Sequence, residues 1–509
     1  MAILGGRLDL QKDHIKTNLQ VQLDRSSDVD HPFEFPLALP ERGSRQRLAA
    51  LHGQLRAAIL DERLKPGLRL PATRALADAL KVSRNTVVAA YDLLLSEGYI
   101  EARRGAGNFV ANLALRKDPH HAKAATSPSD KRLAAYWRNL AGMPAPMPGR
   151  FAYDFRLGIP DSRAFPYDIW RRLSARALRQ LSKAAPLYDL AQGRPALREA
   201  IAQHISFARA VSCEPDDVIV TSGAQQAFDL LARVLVTPGH TVVAVEDPGY
   251  RPLRAVFLAA GARVVGVPVD EEGLIVEQLP LDANVIYVTP SHQFPLGVVM
   301  SPRRRIALLA FARARGALVI EDDYDSEFRY SGRPLDALQT LDRNDTVCYV
   351  GTFSKCLFPT LRLGYAVVPS WLRTAFVNAK HQTDWHGDVL AQDTLAAFIA
   401  EGHLVRHVRH MRKVYAERRD ALLDALEQHS CDRLQVWPTD AGLHLAAKLQ
   451  AGVDAQTLAV RAADEGIRLE ALSAYVLDVS AVQAVGFGLG MIETGAIDEA
   501  VRKLATLMG

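Results

Sequence analysis

In the stretch VCYVGTFSKCLFPTLRLGYAV, residues 347–367, a lysine stands among groups suited to an anion. The apolar, β-branched run 347–350 reads as a buried strand. It breaks into Gly351-Thr352-Phe353-Ser354-Lys355, and Arg362 follows seven residues after the lysine. The amine of Lys355 can form a Schiff base with a carbonyl carbon, while Thr352, Ser354 and Arg362 can hold a phosphate. A lone lysine past a strand end is more often a solvated loop residue, so its surroundings must decide.

Those surroundings repeat one pattern. The run 218–220 leads into Thr221-Ser222-Gly223-Ala224-Gln225-Gln226, and a helix start of this kind suits a phosphate. The run 242–245 leads into Glu246-Asp247-Pro248-Gly249-Tyr250, a turn that could present Tyr250 as a stacking ring. The run 317–320 leads into Glu321-Asp322-Asp323-Tyr324. A carboxylate at the mouth of a buried strand is costly unless paired, so Asp322 is expected to meet a cation, with a helix cap or structural ion pair as the plainer reading. Between these runs lie helical segments, and the alternation predicts an α/β domain: a mostly parallel sheet covered by helices, with ligand groups at the C-terminal ends of its strands.

The chain has 509 residues, enough for two to four domains, with 49 % hydrophobic and 23 % charged residues. No apolar run reaches the roughly 18 to 20 residues of a membrane span. The start, MAILGGRLDLQKDHIK, lacks signal-peptide architecture, and Cys213, Cys348, Cys356 and Cys431 have no CxxC spacing, so reduced thiols in a cytoplasm are expected. Charge is unevenly placed: residues 45–117 carry thirteen Lys/Arg against six Asp/Glu, a surplus larger than the net +4 of the whole chain. A basic module on a slightly acidic body points to a polyanion partner for the first part alone.

That module is read at 45–111, after an arm at 1–44 to which no task is assigned. Leu48, Leu51, Leu55, Ala58 and Ile59 recur at helical spacing to about Glu62. A short helix over 72–80 follows, then a turn and a helix opened by Ser83 as N-cap, with Arg84, Asn85 and Val88 opposite a buried stripe of Val87, Ala90, Tyr91 and Leu94. This is a helix-turn-helix pattern, and IEARRGAGNFV, 100–110, reads as a hairpin with a glycine tip. The matches at Leu70, Pro71, Arg74, Leu76, Ala77, 82–84, Thr86, Val87, Glu97, Gly98, Gly105, Gly107, Phe109 and Val110 resemble the GntR-type winged helix. The resemblance implies double-stranded DNA as partner, faced by Arg74, Arg84, Asn85, Thr86 and Gly105. Two positions depart from that pattern: Ala72 stands where a capping serine is usual, and Val88 where some members carry an arginine. Residues 112–150, rich in Pro, Ser, Ala and Lys, read as a linker.

Residues 151–509 resemble the fold-type I aminotransferases, by the order of phosphate turn, stacking tyrosine, acid–tyrosine pair and lysine–arginine pair. The resemblance implies a smaller C-terminal α+β part and pyridoxal 5′-phosphate as cofactor. It makes Lys355 the Schiff-base lysine, Asp322 the partner of the ring nitrogen, Tyr324 of the ring hydroxyl, and Tyr250 the stacking ring. Ala224, Gln225, Thr352, Ser354 and Arg362 would hold the phosphate, and Tyr188 would reach the phosphate of a partner subunit in a homodimer. Both halves together, with the SHQFPLG form of the loop at 291–297, where Phe294 replaces the usual asparagine, and DFRLGIPDSRAFPYDIWRRL at 154–173, resemble the MocR-type regulators. That resemblance implies a regulator responding to an amine, an amino acid or the cofactor itself, rather than an enzyme. Aminotransferases bind a substrate α-carboxylate through an arginine near the C-terminal strand; here no Arg or Lys lies between Arg468 and Arg502. An active aminotransferase with an appended DNA-binding module is the competing reading.

Overall fold

The computed structural model describes residues 33, 35, 37–40, 46–112, 131–140, 151–185, 187–330, 335–430, 432–437, 440–477 and 482–508. Most of the arm at 1–44, most of the linker at 112–150, and Cys431 lie outside the described residues. The chain divides into two compact units, Met1–Asp130 and Lys131–Gly509.

In the first unit, α1 (Arg47–Leu60), α2 (Thr73–Leu80) and α3 (Arg84–Ser96) are followed by a hairpin of β1 (Ile100–Arg103) and β2 (Gly107–Val110). Leu51, Leu55, Ala58 and Ile59 of α1 pack with Leu76 and Ala77 of α2 and with the expected stripe of α3. Helix α1 stops two residues before Glu62, which takes a left-handed φ of 57°. The α2–α3 turn is set by Lys81, also left-handed at φ 50°, with the Val82 N–H donating to Ala77 O at 3.0 Å. The Tyr91 hydroxyl donates to Pro71 O at 3.0 Å and fixes α3 against the start of α2.

Ala72 gives α2 no side-chain cap, whereas Ser83 accepts from the Thr86 N–H at 3.1 Å. Losing that acceptor costs about 1 kcal/mol. Ser83→Ala should therefore speed amide hydrogen exchange in the first turn of α3 by about fivefold. Unchanged exchange there would show that the cap does not limit the opening of α3.

In the second unit, eight strands form one sheet in the order Val218–Thr221, Gly364–Val367, Val347–Thr352, Leu318–Asp323, Val285–Val288, Val242–Asp247, Arg263–Asp270, Gly273–Leu274. The central pairings are parallel, and Gly364–Val367 runs antiparallel to both its neighbours. Strands buried on both faces explain the continuous apolar runs in the sequence. Ile219, Val243, Val245, Ile320, Cys348 and Val350 pack with Phe228, Leu231, Phe257 and Phe376 from the covering helices. Ala244, Ile286, Val288, Val319 and Val347 share a second cluster with Leu308 and Ala312 of the helix Pro302–Arg315.

A smaller antiparallel sheet, in the order Leu434–Val436, His444–Leu449, Ala484–Gly488, Glu470–Ala471, forms the C-terminal part. A short helix, Ala135–Asn139, lies inside the stretch read as linker. Among the described residues no helix is long and apolar enough to cross a membrane.

Candidate functional site

Glu321, Asp322 and Asp323 lie within their strand rather than beyond it, and Thr352 likewise ends its own strand. The neighbouring strands Leu318–Asp323 and Val347–Thr352 run parallel, with Val350 opposite Asp322. Both chains therefore emerge at one edge, Asp322 beside the loop that carries Lys355.

Lys355 is half-buried, and its Nζ donates to Gly158 O at 2.6 Å. A Cβ on Gly158 would stand 2.9 Å from that nitrogen, so only glycine leaves the amine its place. Burial pushes the ammonium pKa down, against the opposing pull of Asp325 and Asp322. A lowered pKa raises the fraction of neutral, nucleophilic amine near pH 7. Cys356 is buried and its thiol is pushed up by that burial, consistent with a filler rather than a reactive group.

The expected cation beside Asp322 is not its hydrogen-bond partner. Asp322 instead accepts from the Tyr287 hydroxyl at 2.7 Å, and its other oxygen, Oδ1, has no partner. The neighbouring Asp323 takes the guanidinium, at 2.7 Å from Arg209 Nε. The reason is strand alternation, which turns Asp322 and Asp323 to opposite faces of the sheet. Burial raises the Asp322 pKa to about 7, against the lowering effect of the Tyr287 hydrogen bond and of Lys355. A cationic N–H at Oδ1 would relieve that cost.

The phosphate candidates meet at a second corner. Gly223, at φ 77°, precedes the helix Ala224–Leu235 and offers no side chain to cap it. A Cβ there would come within 2.9 Å of Arg362 Nη2, which donates to Ser222 O at 2.8 Å. The backbone conformation there favours glycine, and a Cβ would move the Arg362 guanidinium from its place. Ser354 Oγ is buried without a partner, Thr352 Oγ1 accepts from the Ser354 N–H at 3.2 Å, and Gln225 Oε1 is also unpartnered. A helix N-terminus, an arginine and an idle hydroxyl meet here, groups that could hold a phosphate. The Gln226 side chain braces it, accepting from the Ser222 N–H at 2.7 Å and donating to Asp384 at 2.7 Å; Asp384 pairs with the buried Lys380.

Tyr250 packs edge-on to Phe294, with ring centroids 5.8 Å apart, and burial pushes its pKa to about 12. The Tyr324 hydroxyl lies 3.0 Å from His292 Nδ1. Tyr188 is 76 % exposed and stands edge-on to Trp385, its side chain unburied by its own chain. On the strand Ala484–Gly488, a Cβ on Gly486 would meet Leu157 carbons at 2.9 Å, so apolar side chains fill that space.

In the first unit Arg74, Arg84 and Asn85 are exposed, Thr86 is half-buried behind Ser83, and Gly105 has φ 75° at the hairpin tip. Arg103 lies over the Phe109 ring at 4.4 Å, which stiffens the hairpin. Gly158, Tyr287, His292, Asp325 and Lys380 were not picked out as site residues from sequence. The segments 154–173 and 291–297 contain two of them, Gly158 and His292, but nothing in residue type marks which side chains turn inward.

The comparisons with known proteins agree with this architecture. Residues 164–487 match the family "Aminotransferase class I and II", and residues 49–110 match "Bacterial regulatory proteins, gntR family". The probable rhizopine catabolism regulatory protein MocR of Rhizobium meliloti is 38 % identical over 461 residues, covering 89 % of this chain and 92 % of that protein. The pyridoxine biosynthesis transcriptional regulator PdxR of Corynebacterium glutamicum is 33 % identical, covering 90 % and 95 %. Kynurenine aminotransferase of Pyrococcus horikoshii, known from a crystal structure, superposes with a TM-score of 0.66 at 29 % identity, covering 71 % of this chain and 91 % of that one. The fold is therefore that of a fold-type I aminotransferase domain joined to a winged helix-turn-helix. The chain belongs to the MocR-type, GntR-family DNA-binding transcriptional regulators.

Proposed function

We propose that this regulator binds pyridoxal 5′-phosphate in its second unit and reads a small amine, an amino acid or the cofactor itself there, altering DNA binding by the first. When bound, the cofactor supplies an aldehyde carbon for a lysine amine and a ring that draws electron density from it. The observation that carries the proposal is the convergence of idle buried groups around one amine: Lys355, the unpartnered Asp322 Oδ1, and the Gly223–Arg362 corner with the unpartnered Ser354 Oγ. Lys355 would hold the aldehyde carbon, Asp322 the protonated ring nitrogen, Tyr324 the ring oxygen and Tyr250 a ring face. Ala224, Gln225, Thr352, Ser354 and Arg362 would hold the phosphate.

In the same reading Tyr188 reaches a second subunit, giving a homodimer, and the domains run 45–111 for DNA and 151–509 for the effector. Arg74, Arg84, Asn85, Thr86 and Gly105 would face double-stranded DNA in the cytoplasm. Apolar packing at Gly486 and the lack of a cation on its strand favour an effector without an α-carboxylate.

Completeness of the lysine site favours a second reading, a working aminotransferase. Steady-state transamination with a panel of amino acids separates the two. The regulator reading predicts turnover at background. Robust turnover that survives removal of residues 1–115 would sink it.

A further inference from the structure

Behind Tyr324 lies a buried chain of polar groups that the cofactor-holding roles above do not use. His292 Nδ1 stands 3.0 Å from the Tyr324 hydroxyl and 3.0 and 3.1 Å from the two oxygens of Asp325. Asp325 also accepts the Leu443 N–H at 3.1 Å, and His444 Nε2 stands 3.0 Å from Pro295 O, in the same loop as His292. His292, Asp325 and His444 are 2 %, 1 % and 0 % exposed. The chain thus ties the loop at 291–295, the end of the strand Leu318–Asp323 and the start of the strand His444–Leu449 at one point.

The donor sense of this chain follows from its terminal group. A carboxylate only accepts, so His292 Nδ1 carries the proton it shares with Asp325. The Leu443 amide likewise needs Asp325 as an acceptor. With hydrogen on Nδ1, the Tyr324 oxygen accepts from the imidazole and does not donate to it. Its own O–H is then turned elsewhere, and among the described residues no other protein acceptor meets it. The charged groups that act on Tyr324, namely Asp325, Asp322, Glu246 and Asp323, act on it electrostatically rather than by a hydrogen bond.

The two histidines and Asp325 also bring potential metal ligands within 4.8 Å of one another. Once Nδ1 and the carboxylate are engaged, only His292 Nε2 and His444 Nδ1 remain unpartnered, fewer than the three protein ligands of an open zinc site. The hydrogen-bond chain accounts for more of the geometry.

We infer that Asp325 and His292 are positioning residues that fix the hydrogen-bond direction of Tyr324, so that its O–H is delivered to an anionic oxygen of the bound ligand. The inference rests on the cofactor reading above, in which that oxygen belongs to the ring. Tyr324 donates to it and stabilises its anionic form, and the neighbouring nitrogen on the ligand then holds its own proton less tightly. Asp325→Asn reverses the chain: the amide keeps an oxygen for Leu443 but donates an N–H to Nδ1, which becomes an acceptor and competes for the Tyr324 proton.

The test is the pH midpoint of the visible absorption band of the full chain loaded with pyridoxal 5′-phosphate. Tyr324→Phe, Asp325→Asn and His292→Gln should each raise it by about one pH unit, a tenfold change in proton affinity. Asp325→Asn combined with Tyr324→Phe should shift it no further than Tyr324→Phe alone, because one hydrogen bond is being removed twice. A shift in Tyr324→Phe with none in either Asp325→Asn or His292→Gln overturns the inference, as do shifts that add. A wild-type chain that develops no visible band overturns the cofactor reading itself and this inference with it, which distinguishes the two failures.

Discussion

Lys355→Ala should abolish covalent attachment of pyridoxal 5′-phosphate. After borohydride treatment of the wild-type protein, mass spectrometry should find the added mass on one peptide, the one holding Lys355; the variant should carry none. The effect is all-or-none because Lys355 Nζ is the amine held at Gly158 O and acted on by Asp322 and Arg362. Non-covalent affinity should fall less steeply, since Arg362, Ser354 and the helix start at Ala224 remain to hold a phosphate. Retention of the label, or its appearance on Lys380, would show that the site has been misplaced. Lys380 is a rival, 1 % exposed and paired with Asp384, which also meets Gln226, but that pairing leaves no free amine.

Arg84→Ala should weaken binding to double-stranded DNA by roughly 1–3 kcal/mol, about fivefold to more than a hundredfold. Arg84 opens the second helix of the helix-turn-helix, is exposed, and projects from a helix start locked by the Ser83 cap and the Tyr91–Pro71 bond. In the proposed interface, that rigid placement would turn a surface charge into a contact. Binding measured across a salt series distinguishes two origins of the loss. If Arg84 meets phosphate, the slope of log affinity against log salt should fall by about 1; if it meets a base edge, sequence preference should relax at one position. The visible band of the cofactor-loaded variant should not change. Wild-type affinity in Arg84→Ala would remove this helix from the interface.

The architecture was legible because its determinants are local. Four apolar runs, each ending in a polar turn, announced the parallel sheet, and the contiguous spacing from Leu70 to Val110 announced the winged helix. Lys355, Asp322, Tyr324 and Tyr250 could be picked out as candidates for the same reason, since each sits near the end of a run, and Arg362 by its spacing from Lys355. What escaped depends on tertiary geometry. No pattern says that Gly158, nearly two hundred residues away, receives the lysine amine. None says that Asp323 rather than Asp322 takes the arginine, because that follows from which face of the strand meets Arg209. His292, Asp325 and His444 come from three separate segments, and only the closing of the C-terminal sheet on the loop at 291–295 brings them together. The linker reading passed over Ala135–Asn139, a helix too short to show a period in composition.

The central claim is that chemistry at Lys355 governs DNA binding, and one titration tests it. DNA affinity of the full chain is measured at fixed salt while candidate amines are added to the cofactor-loaded protein, with the visible spectrum read from the same samples. An amine that converts the band should change DNA affinity by about fivefold or more, the scale of an ordinary allosteric coupling, and Lys355→Ala should lose both responses. A panel in which amines convert the band completely while DNA affinity stays constant would contradict the claim.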